Sequence, residues 1–235
     1  VCTKYTQLRD SLPDIETITD EHTMVVSLLN GVDSEELIGQ RIGMEHMIYS
    51  LIRIASHRIG NSIHFSLPKG YNGIYIGIPN QPACQDPRLA AIAEIFADTP
   101  VTLHLSDDIL LDMWDKFGLN VSRNLPQAIL GVGIGVYDDS IYADAIMRRM
   151  RHEVVLVANA KGIPLTDEFK AAKWLPSQRY STLQDLDAHR HTEIDMFSGA
   201  LIRMGKEVGV ECPYNEMTYN LIKALEEKND GKFDY

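Results

Sequence analysis

Apolar residues recur along this chain in two rhythms, and the change from one to the other divides it. The run from His22 to Leu29 is β-branched and apolar and stops at Asn30-Gly31, a strong turn signal, so it predicts a strand. Met47–Ala55, Ser62–Leu67 and Gly73–Ile78 read as further strands, divided at Gly60-Asn61 and Pro68-Lys69-Gly70, and Val101–Leu105 reads as another. Between them lie helical stretches. Tyr5–Leu12 is polar and compatible with a helix, and Arg88–Ala97 is helical. Ser34–Ile42 has Asp33 to cap it, with Glu35 and Glu36 in the first turn, where the helix dipole favours anions. Residues 1–106 thus alternate strands with helices, an α/β pattern.

After Ser106 the strand signal nearly vanishes. Asp107–Leu125, Asp139–Asn159, Leu183–Val208 and Tyr214–Glu227 all carry helical periodicity. In the third, Ile194, Phe197, Leu201, Met204 and Val208 form one apolar stripe that Gly209 is placed to end. Pro213 sits where a first-turn proline opens the last helix. The expectation is an α/β part, 1–106, followed by an all-α part, 107–235. Gly131-Val132-Gly133-Ile134-Gly135 has the wrong spacing for a nucleotide loop and follows a helix, so it reads as a turn between helices.

Composition narrows the function classes. Of the 235 residues, 45% are hydrophobic and 23% charged, a globular balance. Lys plus Arg is 22 against 33 Asp plus Glu, a net charge of −11, which argues against nucleic acid and against a polybasic membrane contact. The apolar runs are too short for a membrane span, since Ile48–Ile54 already contains Arg53. No basic stretch followed by an apolar one opens the chain, and Cys2, Cys84 and Cys212 form no Cys-x-x-Cys pair. They read as free thiols in a reducing cytoplasm. His189 and His191 are two apart and fall on different helix faces, so no metal pair is expected. Val1 stands where Met would open a gene, and Val1-Cys2-Thr3 reads like a strand already under way, as though the N-terminus were cut.

Candidate chemistry concentrates in the helical part. Within Asp107–Leu125, Leu110, Met113, Trp114, Phe117 and Val121 occupy one arc. Lys116, Asn120 and Asn124 recur at spacing four on a second arc, roughly 70° away at about 100° per residue. A cation and two carboxamides at the rim of a buried stripe suit a polar cleft wall, and burial there favours proton release from a lysine. The competing reading is an ordinary solvated face. Glu193 lies beside the stripe of its own helix, where the competing reading is an exposed acid favoured by the dipole. Ser181-Thr182-Leu183-Gln184 fits a capping box with Ser181 as N-cap, and such a helix start also attracts an anion.

These residues resemble a known family. Arg190-His191-Thr192-Glu193-Ile194-Asp195, Gly199 and Gly209 to Asn215 are similar to the C-terminal signature of ketopantoate reductase (2-dehydropantoate 2-reductase). Leu28-Leu29-Asn30-Gly31-Val32, Lys116-x3-Asn120-x3-Asn124 and Thr3-Lys4-Tyr5 resemble its strand-end Asn-Gly, its catalytic helix and its strand-end lysine. The resemblance implies part of a Rossmann-type NADPH-binding domain, then a helical domain of the 6-phosphogluconate dehydrogenase C-terminal-like type. It implies a small 2-oxo acid as substrate and allows a homodimer. It further implies that Lys116 is the general acid and that Glu193 holds the substrate hydroxyl. Asn120, Asn124 and Ser181 would then orient the substrate, with Lys4 and Asn30 on the cofactor side.

Three departures stand out. The family's Asn-Pro is here Asn124-Leu125-Pro126, and the family asparagine ten residues beyond Asn124 is Ile134. No Gly-x-Gly-x-x-Gly loop lies within the 235 residues, which implies that about two βαβ units, some 60 to 70 residues, are missing ahead of Val1. The chain alone should then bind NADPH very weakly. A related 2-oxo acid reductase and a non-catalytic helical dimerisation fragment are the alternatives that these departures leave.

Overall fold

The computed structural model describes all residues except 55, 60, 66–71 and 170–174. The strand-bearing half runs α1 (Tyr5–Thr17), β1 (Val25–Val26), α2 (Ser34–Ile42), β2 (Met47–Arg53), β3 (Ser56–Ile59), β4 (Ser62–Phe65), β5 (Gly73–Gly77), α3 (Pro87–Phe96) and β6 (Leu103–Leu105). Then come α4 (Ile109–Leu119), a π-helical turn at Asn120–Asn124, α5 (Leu125–Leu130), α6 (Val136–Asp139), α7 (Ile141–Ala160), α8 (Ser181–Asp187), α9 (Ser198–Val208) and α10 (Pro213–Asn229). Two compact units result, Val1–Met113 and Trp114–Tyr235. The α/β part and the all-helical part expected from the sequence are both present.

In the first unit the sheet order is β1-β2-β5-β6. The pairs β1/β2 and β5/β6 are parallel, while β2 and β5 run antiparallel with Tyr49 opposite Gly77. Period-two alternation sends neighbouring residues of β2 to opposite faces. Met47 joins Leu8, Ile15, Val25, Leu29 and Ile38 beneath α1 and α2, whereas Ile48 joins Ile74, Ile76, Leu89 and Ile92 beneath α3. Helices on both faces make this a doubly wound layer structure.

Several expectations are corrected here. The strand foreseen from His22 to Leu29 is only Val25–Val26, because Asp20 holds the N–H groups of His22 and Thr23 in a turn just ahead of it. The strand foreseen at Met47–Ala55 stops at Arg53, and β3 and β4 pair as a separate hairpin. Ala55, Gly60, Leu67 and the Pro68-Lys69-Gly70 divider lie outside the described residues. Asp33 precedes α2 as foreseen, but its carboxylate makes no cap bond and accepts the Tyr5 hydroxyl at 2.7 Å.

Glu35 lies in the first turn of α2 as foreseen, yet it is 1% exposed, accepting from Ser34 Oγ at 2.8 Å. Burial pushes its pKa up from 4.5 to about 7, with the Ser34 bond opposing the shift only in part. A raised folded-state pKa means that protonation favours the fold. Glu35 therefore adds stability below pH 4.5 that is lost as pH climbs towards 7, up to about 3 kcal/mol. Glu35→Gln should remove that dependence. Urea titrations should show the variant gaining about 3 kcal/mol on the parent between pH 4.5 and pH 8, and parallel curves would show Glu35 titrating normally.

The second unit is built around the 20-residue α7, which packs against the π turn, α5, α6, α9 and α10. Its Glu153, almost fully buried, accepts from the backbone N–H groups of Tyr214 (2.8 Å) and Asn215 (3.0 Å), and so caps α10. The glycine cluster is a turn, as foreseen. A Cβ at Gly133 would strike the Pro176 carbonyl, while Ile134 N–H and Gly135 N–H bond to Gln178 O and Pro176 O. These glycines serve close backbone approach, and Ile134 is buried with Tyr137, Ala143 and Met147.

Candidate active site

Helix α4 presents the expected stripe, with Met113, Trp114 and Phe117 buried and Trp114 set edge-on to Phe117 at 5.6 Å. The continuous α-helix foreseen to Leu125 instead widens at Asn120–Asn124 into a π turn. Pro126 supplies the reason. It has no N–H for the carbonyl of Ser122, and its ring needs space there, which a wider turn provides. Ser122 adds to the distortion by donating its hydroxyl to Gly118 O at 2.6 Å. The asparagines still meet, since Asn124 Nδ2 donates to Asn120 Oδ1 at 3.3 Å. Lys116 and Asn120 are half-buried and Asn124 is buried, consistent with the rim position.

A buried ion pair fixes α4 beside its lysine. Arg151 of α7, 1% exposed, donates to Asp115 Oδ1 at 3.2 Å and to Thr166 O at 2.9 Å. Its guanidinium passes over Gly118, where any Cβ would run into Nη1, and stacks 5.2 Å from the Phe169 ring. The glycine in the helix is therefore there for a cation.

Ser181 requires a correction. Tyr180 is the N-cap of α8, Ser181 is already helical and exposed, and no side-chain cap bond forms. Gln184 turns back instead to Arg179 O at 2.7 Å. Helix α8 nonetheless packs against the π turn and α5, so Ser181 stands on an element adjoining Asn120 and Asn124.

The helix foreseen over Leu183–Val208 is broken. His189 adopts φ 52°, a left-handed conformation that ends α8, and residues 190–197 form a turn before α9. Glu193 sits half-buried in that turn, its carbonyl accepting from Met196 N at 3.0 Å and Phe197 N at 3.2 Å. The reading of Glu193 as an early helix acid is thereby removed. Ile194, Phe197, Leu201 and Met204 are buried as foreseen, although the first two precede α9.

Lys4 and Asn30 belong to the first unit. Val1 lies parallel to β1, donating to Val26 O at 2.6 Å and accepting from Leu28 N at 2.9 Å. Lys4 and Asn30 lie beyond these paired residues, Asn30 in the loop that follows β1. Thr3 Oγ1 is buried without a hydrogen-bond partner among the described residues, and Lys4 is the N-cap of α1. A cation, a helix start and an orphaned hydroxyl suit a dinucleotide. Thr3 was not singled out from the sequence, where only its place before Lys4 marked it.

Among the described residues no His, Cys, Asp or Glu group is arranged to hold a metal, and no helix is long and apolar enough to cross a membrane. Burial pushes the Cys212 thiol up to about 12, so it is no nucleophile near neutral pH.

Comparison with known proteins settles the lineage. The ketopantoate reductase PanE/ApbA pattern matches residues 1–81, and its C-terminal pattern matches residues 108–226. The chain belongs to the ketopantoate reductase family. A 2-dehydropantoate 2-reductase of Streptococcus pyogenes serotype M3 is 28% identical over 95% of this chain and 74% of its own length. A ketopantoate reductase from Ralstonia eutropha superposes with a TM-score of 0.81 at 24% identity, over 97% of this chain and 75% of that one. D-mandelate dehydrogenase, solved with NADH and anilino(oxo)acetate, does so with 0.83 at 25% identity, over 97% and 75%. The ketopantoate reductase architecture, a Rossmann-like part and then a helical domain, is the one described above.

Proposed function

We propose that this chain carries the machinery for NADPH-dependent reduction of 2-dehydropantoate to pantoate, with nucleotide-side residues in 1–106 and substrate-side residues in 107–235. Family membership supports this together with one geometric fact. Asn124 reaches Asn120 across the π turn, keeping the two carboxamides together on the helical run that also carries Lys116. When bound, the nicotinamide supplies a hydride to the ketone carbon. Lys116 gives its ammonium proton to the ketone oxygen as charge develops there, completing the secondary alcohol. Glu193 accepts a hydrogen bond from the substrate hydroxyl. Asn120, Asn124 and Ser181 orient the substrate and its carboxylate, while Lys4 and Asn30 hold the cofactor.

Glu193→Ala in the full-length protein should cut turnover of 2-dehydropantoate by about 10²-fold while cofactor affinity stays near normal. NADPH absorbance and calorimetry read the two quantities, and unchanged turnover would remove Glu193 from the site. A second reading has its own support. The D-mandelate dehydrogenase likeness, together with buried Ile134 where the family carries asparagine, favours a different 2-oxo acid. A panel comparing 2-dehydropantoate with aryl 2-oxo acids, each with NADPH and NADH, separates the two by kcat/KM.

A further inference from the structure

The polar neighbours of Glu193 are tied down one by one. Arg190 Nε donates to Asp185 at 2.9 Å, and His191 Nε2 lies 2.9 Å from Asp230. Asp195 accepts from the Tyr219 hydroxyl at 2.7 Å and from Lys223 at 3.3 Å. The closest bracket belongs to Glu226, a residue of α10 only 3% exposed. One oxygen, Oε1, accepts both the backbone N–H and the hydroxyl of Thr192, each at 2.7 Å. The same Thr192 hydroxyl accepts from Ile194 N–H at 3.2 Å. A single carboxylate oxygen thus fixes the residue before Glu193 directly and the residue after it through one hydroxyl.

We infer that Glu226 is a positioning residue, holding the Thr192–Ile194 backbone so that Glu193 meets the substrate. The inference rests on the substrate-side reading of Glu193. A buried carboxylate is costly, and such a turn could be closed by neutral groups, so the choice of a charged acceptor calls for an explanation. Charge-assisted bonds are shorter and stiffer than neutral ones. Lys223 Nζ, 3.1 Å from Glu226 Oε2, balances the charge. Burial pulls the Lys223 pKa down, but Glu226 and Asp195 outweigh it and keep the lysine protonated. The helical periodicity of Tyr214–Glu227 marked Glu226 only as a helix position, with nothing to link it to Glu193.

Glu226→Gln keeps the size and one acceptor oxygen but turns an amide towards Lys223. In the full-length protein it should lower kcat/KM for the 2-oxo acid about tenfold, with the dissociation constant for the cofactor unchanged. Thr192→Val deletes only the hydroxyl relay and should give a loss of the same order, which covers the case in which Glu226→Gln fails to fold. The deciding measurement combines each with Glu193→Ala. A positioning role predicts that neither adds to the loss already caused by Glu193→Ala. Hydrogen exchange should speed up at the amides of Thr192 and Ile194 in Glu226→Gln. Losses that multiply with that of Glu193→Ala, or parental kcat/KM in both Glu226→Gln and Thr192→Val, would overturn the positioning role alone. Parental turnover in Glu193→Ala would overturn the reading of Glu193, and this role with it.

Discussion

Replacing Lys116 by alanine is expected to lower kcat for 2-oxo acid reduction by about 10² to 10⁴, the usual worth of a positioned general acid. In barrier terms that is about 3 to 5 kcal/mol. The argument rests on place. Lys116 stands at the rim of the Met113–Val121 stripe, half-buried, on the helical run that carries Asn120 and Asn124. Cofactor affinity should change little, because the residues read as holding the dinucleotide belong to the other unit. Lys4→Ala should show the opposite balance, with weaker cofactor binding and a smaller effect on kcat. NADPH absorbance for turnover and calorimetry for affinity distinguish the two patterns in the full-length protein. A Lys116→Ala variant within a few-fold of its parent would make Lys116 a solvated surface lysine.

Arg151→Met should cost the helical unit about 3 to 5 kcal/mol, because it takes from the buried Asp115 the guanidinium that pairs with it. It also deprives Thr166 O of its partner and removes the stacking on Phe169. Urea titration followed by circular dichroism reads the loss. Replacing both partners with apolar residues, Arg151→Met with Asp115→Leu, should recover much of it, since removing both charges removes the desolvation cost as well. If the single variant is no less stable than the double, the pair carries no buried charge worth the name. Asp115 adjoins Lys116, so the single variant should also slow turnover.

The sequence made some of this legible and hid the rest for physical reasons. Local rules worked where a feature depends on a few adjacent residues: Asn30-Gly31 after β1, Pro213 opening α10, and Gly209 at φ 73° closing α9. The apolar stripe through Ile194, Phe197 and Leu201 was read correctly as buried, yet wrongly as one helix. Periodicity reports which side of the chain meets the core, and a compact turn can preserve that side. What broke the helix was His189 in a left-handed conformation and the capture of Thr192 N–H by Glu226, 34 residues away. No local pattern encodes such a partner. Glu35 shows the same limit. Its place in a first helical turn suited a dipole, and only the approach of Ser27 and Ser50 shows that this side is buried.

The π turn at Asn120–Asn124 has a consequence for how this helical run could lengthen over evolutionary time. Bonds from residue i to i+5 absorb one more residue per turn than an α-helix does. The departure Asn124-Leu125-Pro126 is one residue longer than Asn-Pro, and it lies at the turn able to take up that residue. Beyond it, Leu125 and Ala128 of α5 are buried, and Gln127 still bridges to Gln178 O and Tyr180 N. The turn behaves as an expansion joint. It lets the chain gain a position beside the row of Lys116, Asn120 and Asn124 without passing the shift on to the packing that follows.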